Sequence, residues 1–326
     1  MARVSARDEE DALLAAPGSL GLLGETIIRV GALSTTSGEG TLLIAAADHP
    51  VAALGVSAFP VDTTRLVATA LAAGEGQGAA AAMSAGMALR LVDCGMNGEP
   101  IDGWAPNHAS GTRGDIATGD AMTDDDVDGL LRAGVDLGHE LAATGPVEIG
   151  ELGIGNTTVG AVVAASVLGV PPAAVVGRGA GSDTATMQRK HEVVERALER
   201  LGRRGPRELL DDDALRRLIA AIGGPEQALL TGVCLGVADA DGLVVLDGML
   251  TGTAALLAVR NQPTVQRHLV AGQVSAEPAH RAVLDALGLE PLLDLRLRAG
   301  EGIGAVLATS LIKQTEQVQK LTARTR

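Results

Sequence analysis

Short apolar runs alternating with longer stretches of helical period constrain this 326-residue chain more than any other feature. The runs at 42–47, 89–92, 147–149 and 244–246 read as strands. Helical patterns lie near 62–73, 125–143, 157–169, 184–201, 226–238 and 249–260. That order predicts a parallel sheet with crossover helices. The face formed by Met187, His191, Val194, Leu198 and Leu201 has helical period, and Asp183 stands where its N-cap would be. The first 27 residues and the stretch from about 276 onward carry no strand runs. They predict a small helical lobe built from both chain ends (1–27 and 276–326) beside an α/β domain over 28–275. The polar tail from Lys313 to Arg326 is a segment expected to fray.

Composition narrows the core and the partners. The chain is 46% hydrophobic yet has one Phe, one Trp and no Tyr, so its core must be built from Ala, Val, Leu and Ile. A pocket for a planar ligand would be walled by aliphatic side chains, Met and backbone. The net charge of −14 and the lack of a basic stripe argue against nucleic acid as a partner. The acid runs Asp124–Asp126 and Asp211–Asp213 read as helix starts, and the six histidines show no HxH or HExxH spacing, so no metal site is expected. Cys94 and Cys234 read as buried apolar residues in a reducing compartment. The opening residues lack an apolar leader and no stretch reads as a membrane span, so a cytoplasmic protein is expected.

Three strand runs end in an acid, at Asp48, Asp93 and Asp247. Ligands in open parallel sheets bind outside the carboxyl ends of the strands. Each acid alone is equally a turn residue. The segment GELGIGNTT at 150–158 follows a strand run and opens a helix. Its glycines and free helix-start N–H groups suit a phosphate, but an ordinary strand-to-helix turn explains it equally well. A second loop, GRGAGSD at 177–183, precedes Lys190, which either reaches a phosphate as a point charge or is a surface lysine. A third segment, AGEGIGA at 299–305, presents Glu301 between glycines beside an apolar run. That setting raises a carboxyl pKa and suits a general base, although a hinge acid at a helix start reads the same way. His49, next to Asp48, is the histidine placed to touch a ligand.

Taken in order, these segments resemble the nicotinate-nucleotide–dimethylbenzimidazole phosphoribosyltransferase family. The resemblance runs from PGSLG at 17–21 through ADH at 47–49, GVSAFP at 55–60, VDCG at 92–95, GTR at 111–113 and AMT at 121–123. It continues through the two glycine loops, LDG at 246–248, SAEPAH at 275–280, LGLEPLLDL at 287–295 and GEGIGA at 300–305. It implies a doubly wound, mainly parallel α/β fold with helices on both faces of the sheet, and a homodimer. The implied reaction passes the phosphoribosyl group of nicotinate mononucleotide to 5,6-dimethylbenzimidazole, with inversion at C1′. The leaving pyridinium is already cationic, so no cofactor or metal is expected. By the same resemblance Glu301 is the general base and Glu151 stabilises positive charge on the ribose. Gly153, Gly155, Asn156, Thr157, Gly177, Arg178, Gly179 and Lys190 hold phosphate and ribose. The acceptor base is expected against Asp48, His49, Met83, Ser84 and Leu152.

Five positions at three sites depart from the family pattern. Pro50 stands where Gly is usual, Met83-Ser84 where Arg-Gln is usual, and Gly272-Gln273 where Ser-His is usual. They open two alternatives: transfer to another base (adenine, another benzimidazole or a phenolic), or a non-catalytic nucleotide-binding relative.

Overall fold

The computed structural model describes residues 12–33, 38–105, 113–179, 181–202 and 206–325. Residues 111 and 112 of the GTR segment, His108 and Ala180 lie outside them.

Strands β1 (Thr41–Ala47), β2 (Ala88–Gly95), β3 (Trp104–Ala105), β4 (Val147–Leu152), β5 (Val244–Leu246) and β6 (Leu269–Ala271) form one sheet in the order 3-2-1-4-5-6. Every pairing is parallel. This is the doubly wound order, in which the chain switches sides between β1 and β4. All seven residues of β1 are buried, as a central strand covered on both faces requires.

The two faces follow from the period of two along each strand. Leu43, Ala45 and Ala47 of β1 face one layer, with Val244 and Leu246 of β5. That layer holds α4 (Asp124–Ala142), α5 (Asn156–Leu168), α6 (Thr184–Arg200), α7 (Asp212–Ile222), α8 (Pro225–Asp239), α9 (Met249–Asn261) and α10 (Pro278–Leu287). Leu42, Ile44 and Ala46 face the other way, toward α2 (Thr63–Ala72), α3 (Gln77–Ser84) and Val306 of α11 (Ile303–Leu321). Val245 and Val270 meet α1 (Gly21–Val30) and α11 on that same side.

Local signals start the helices as the sequence suggests. Thr123 caps α4 through a reciprocal bond pair with Asp126, and Asp124–Asp126 fill its first turn. Asp183 accepts the Thr186 N–H at the start of α6, and Asp211 does the same for Ala214 at the start of α7. Without aromatics to fill gaps, α4 and α8 pack backbone to backbone. A Cβ on Gly134 would lie 2.1 Å from the Leu229 carbonyl oxygen, and one on Gly236 would lie 2.2 Å from that of Val135. Cys94 and Cys234 are both buried free thiols.

The chain ends meet: Leu13 bridges Arg324, and the Leu14 N–H donates to the Ala323 carbonyl at 2.6 Å. Residues of the end segments also pack on the sheet. Val283, Leu284 and Leu287 of α10 sit in the first layer, and Ala305, Ala308 and Ile312 of α11 complete the second. The reason is that β5 and β6 leave Val245 and Val270 facing a side that α1 and α11 cover.

Glu148 of β4 is fully buried beside α11 and accepts the Thr309 hydroxyl at 2.8 Å. Burial pushes its pKa from 4.5 up to about 8. A carboxyl raised in this way stabilises the fold fully below its unfolded pKa and loses that contribution as pH rises toward 8. At about 1.4 kcal/mol per unit the loss is on the order of 5 kcal/mol as an upper bound. Glu148→Gln keeps an acceptor for Thr309 and does not titrate. Its Tm is expected to match the wild type near pH 4.5 and to exceed it clearly at pH 8, read by calorimetry at both pH values. Equal Tm values at pH 8 would mean that Glu148 ionises without penalty.

Candidate active site

A cleft of about 490 Å³ opens over the carboxyl ends of β4, β5 and β6, and the segment after β1 closes its far side. Its place is the switch point that a doubly wound sheet provides for ligands. Four segments bring the chemistry to it.

The turn after β4 comes first. Glu151 and Leu152 end the strand, and the chain turns through Gly153–Gly155 into α5. Gly155 caps that helix with φ +93°, and no side chain caps its first N–H groups. The positive end of the helix therefore meets the cleft at Asn156 and Thr157. Thr64 of α2 ties the turn to the opposite wall by accepting the Ile154 N–H at 3.1 Å.

Lys190 arrives from α6, buried and 3% exposed. Its Nζ donates to the Gly177 carbonyl at 3.1 Å and to Thr157 Oγ1 at 3.2 Å. Burial lowers its pKa, and the Glu277 carboxylate acts against that. A buried ammonium beside a bare helix start is a seat for an anion.

Glu301 stands in the loop before α11. Gly300, Glu301 and Gly302 all have left-handed backbones, at φ +67°, +57° and +77°. For Glu301 that conformation costs about 1–3 kcal/mol, held by what surrounds it. The loop lies directly on β4: the Glu301 N–H donates to the Glu151 carbonyl, and a Cβ on Gly150 would stand 2.4 Å from the Gly302 nitrogen. Oε2 of Glu301 accepts the Gly78 N–H at 2.8 Å, in the first turn of α3. Burial raises the Glu301 pKa, while the N–H groups of Gly78 and Gln77 favour the carboxylate.

Asp247, just past β5, accepts the Gly304 N–H at 2.7 Å and the Gln273 amide at 2.9 Å. Burial still carries its pKa up to about 6. Glu151 is pushed higher, to about 8, first by burial and then by the charges of Glu226, Asp247 and Glu301. Its partner in the cleft is the Asn156 side-chain amide. Both acids are raised, Glu151 by burial and by its acidic neighbours, Glu301 by burial against the helix-start N–H groups that support its anion. A cation entering the cleft would favour ionisation of Glu151. Lys190 and the α5 start suit an anion at one end, and the acids suit positive charge at the other.

The family model described as phosphoribosyltransferase matches residues 1–325. The chain is 38% identical over 322 residues to the nicotinate-nucleotide–dimethylbenzimidazole phosphoribosyltransferase of Thermus thermophilus, covering 96% of this chain and 93% of that one. It is 36% identical to the enzyme of the same name from Mycobacterium marinum, with 96% and 88% covered. The crystal structure of CobT from Thermus thermophilus superposes with a TM-score of 0.89 at 36% identity, covering 99% of this chain and 97% of that one. The chain belongs to the nicotinate-nucleotide–dimethylbenzimidazole phosphoribosyltransferase family.

As a phosphoribosyltransferase of this family, the protein carries most of the residues singled out by sequence in one place. Glu301, Glu151, Leu152, Gly153, Gly155, Asn156, Thr157, Gly179 and Lys190 all line the cleft. Gly177 lies just beneath, holding Lys190 through its carbonyl. Arg178 is exposed and outside the lining; its carbonyl closes the loop by accepting the Gly181 and Ser182 N–H groups. Asp48 also lies outside, buried and accepting the Asn97 N–H at 2.7 Å. His49 is buried behind the cleft floor: its Nε2 is 3.2 Å from Glu226 and 3.0 Å from where a Cβ on Gly153 would stand.

Met83 and Ser84 correct the sequence-based acceptor wall. Met83 is 73% exposed and Ser84 only bonds back to the Ala81 carbonyl. They end α3, whose other end holds Glu301, so the helix carries them about 8 Å away along its axis. The cleft instead draws its apolar wall from Val56, Phe59, Val67, Leu152 and Leu250. Phe59, the chain's one phenylalanine, was not foreseen there. Asp247, Gln273, Ser275 and Glu277 also line the cleft. Ser275 is set by His280, a histidine that burial pushes down to about 3 and whose Nδ1 accepts the Ser275 N–H at 2.9 Å. Of the three strand-end acids, Asp247 lines the cleft, and Asp93 serves its own turn by accepting the Gly95 and Met96 N–H groups. No group of acids, histidines and cysteines among the described residues is arranged to hold a metal ion.

Proposed function

We propose that the protein transfers the 5-phosphoribosyl group of nicotinate mononucleotide to 5,6-dimethylbenzimidazole, releasing nicotinate and forming α-ribazole 5′-phosphate. One observation carries the reading: a carboxylate on a strained glycine-flanked loop shares a cleft with a buried lysine and a bare helix start. A nucleotide donor needs the second pair, and an acceptor that sheds a proton needs the first.

The phosphate sits at Lys190 and the 153–157 turn. The ribose spans toward Glu151 and Asp247, where developing positive charge meets carboxyl groups. The benzimidazole lies against Phe59, Val67 and Leu152, and attacks C1′ through its bare nitrogen as the bond to the pyridinium nitrogen breaks. The electron pair of that bond leaves with neutral nicotinate nitrogen. Glu301 takes the proton from the other benzimidazole nitrogen. A positioned base supplies about 10²–10⁴-fold, and alignment of the two substrates supplies a further share.

Because Met83 and Ser84 stand outside the cleft, the case they made for a different acceptor loses its footing. The same reading includes a homodimer, which the resemblance implies, and a reducing compartment, which the two buried thiols suit. Nicotinate release from nicotinate mononucleotide tests it, measured with and without 5,6-dimethylbenzimidazole. Release is expected only with the acceptor; acceptor-independent release, or none, would overturn the reading.

A further inference from the structure

The glycines of the 177–179 loop do not face open space in this structure. A Cβ on Gly177 would lie 2.3 Å from Glu277 Oε2 and 2.5 Å from Pro278 Cδ. The Gly179 N–H donates to Glu277 Oε1 at 2.7 Å. Oε1 is therefore bonded to this loop, and Oε2 lies close against Gly177, buried and without a hydrogen-bond partner. The loop is also what aims Lys190, since the Gly177 carbonyl accepts from its Nζ. Two segments 98 residues apart are thus joined, and the joint ends at the ammonium facing Thr157.

We infer that Glu277 is the positioning residue of the phosphate seat, clamping the 177–179 loop so that its carbonyl holds Lys190 toward the start of α5. Glu277 sits on the segment between β6 and α10, where Ser275 is fixed by His280, so the clamp rests on a rigid base. Without its acceptor oxygen Gly179 loses a charge-assisted bond in a part-buried setting at the cleft wall. The Glu277 charge also sustains the ammonium form of Lys190 against burial.

The inference rests on the proposed donor, so binding is read separately from transfer. Calorimetry with nicotinate mononucleotide and with ribose 5-phosphate gives the donor-side affinity, and steady-state assays give kcat and KM. Glu277→Ala is expected to weaken both ligands about tenfold or more and to raise the donor KM alike, with kcat within about threefold. Glu277→Gln, which keeps an oxygen for Gly179, is expected to recover affinity to within about threefold of the wild type. In a Lys190→Met background, Glu277→Ala is expected to cost almost nothing further, because its effect runs through Lys190. Should Glu277→Ala fail to fold, Glu277→Asp retains the charge but shortens the reach, and the same loss is expected. Wild-type affinity in these variants, or an undiminished loss without Lys190, would overturn the inference. Wild-type protein that binds the nucleotide yet transfers nothing would overturn only the proposed reaction.

Discussion

Glu301→Gln is expected to lower kcat by about 10²–10⁴-fold while leaving the affinity for nicotinate mononucleotide within about twofold of the wild type. Glutamine fills the same space and keeps an oxygen for the Gly78 N–H, so the loop and the α3 start stay in place. What it removes is the ability to accept a proton. The donor seat at Lys190 and the 153–157 turn does not involve the Glu301 side chain, so binding and turnover separate. Single-turnover rates beside calorimetric donor affinity would show it. Turnover like the wild type's would remove Glu301 from the role of base. A parallel loss of affinity would make it a structural residue.

Gly150→Ala is expected to reach a similar outcome without touching a titratable group. The new methyl would meet the Gly302 nitrogen at 2.4 Å and the Glu301 carbonyl carbon at 2.7 Å. These are backbone atoms of a loop already held in left-handed conformations, so they move as a unit or not at all. A displacement of about 1 Å at a catalytic group costs on the order of 10²-fold. The expected signature is a kcat loss of about that size with a nearly unchanged donor KM. Gly119→Ala, where a methyl meets nothing within 4 Å, is the matched control. A wild-type kcat in Gly150→Ala would show that the loop does not set the chemistry.

Much of this was legible in the residues themselves. The strand runs at 42–47, 147–149 and 244–246 became β1, β4 and β5, because buried parallel strands need continuous apolar residues. The loops at 150–158 and 177–183 and the acid at 301 stood out because glycine clusters mark places where backbone meets something closely. Other parts left no comparable trace. Strands β3 and β6 have two and three residues, too few to show a period. Helix α3, half alanine, shows no apolar face, so nothing marked Gly78 as the donor to Glu301 or Met83 as exposed. Glu277 meets Gly179 across 98 residues, a contact made by the order of the strands rather than by local pattern. SAEPAH at 275–280 was the available signal, and it pointed to a segment, not to a clamp.

In this enzyme one carboxylate, Glu301, faces the acceptor while Lys190 and the 153–157 turn hold the donor phosphate. A crystal structure of the protein with 5,6-dimethylbenzimidazole and a non-reacting donor analogue would test it most directly. The expected result places a benzimidazole nitrogen about 2.6–3.2 Å from a Glu301 carboxylate oxygen, with the phosphate on Lys190 and the 153–157 turn. An acceptor bound with both nitrogens remote from Glu301 would contradict it.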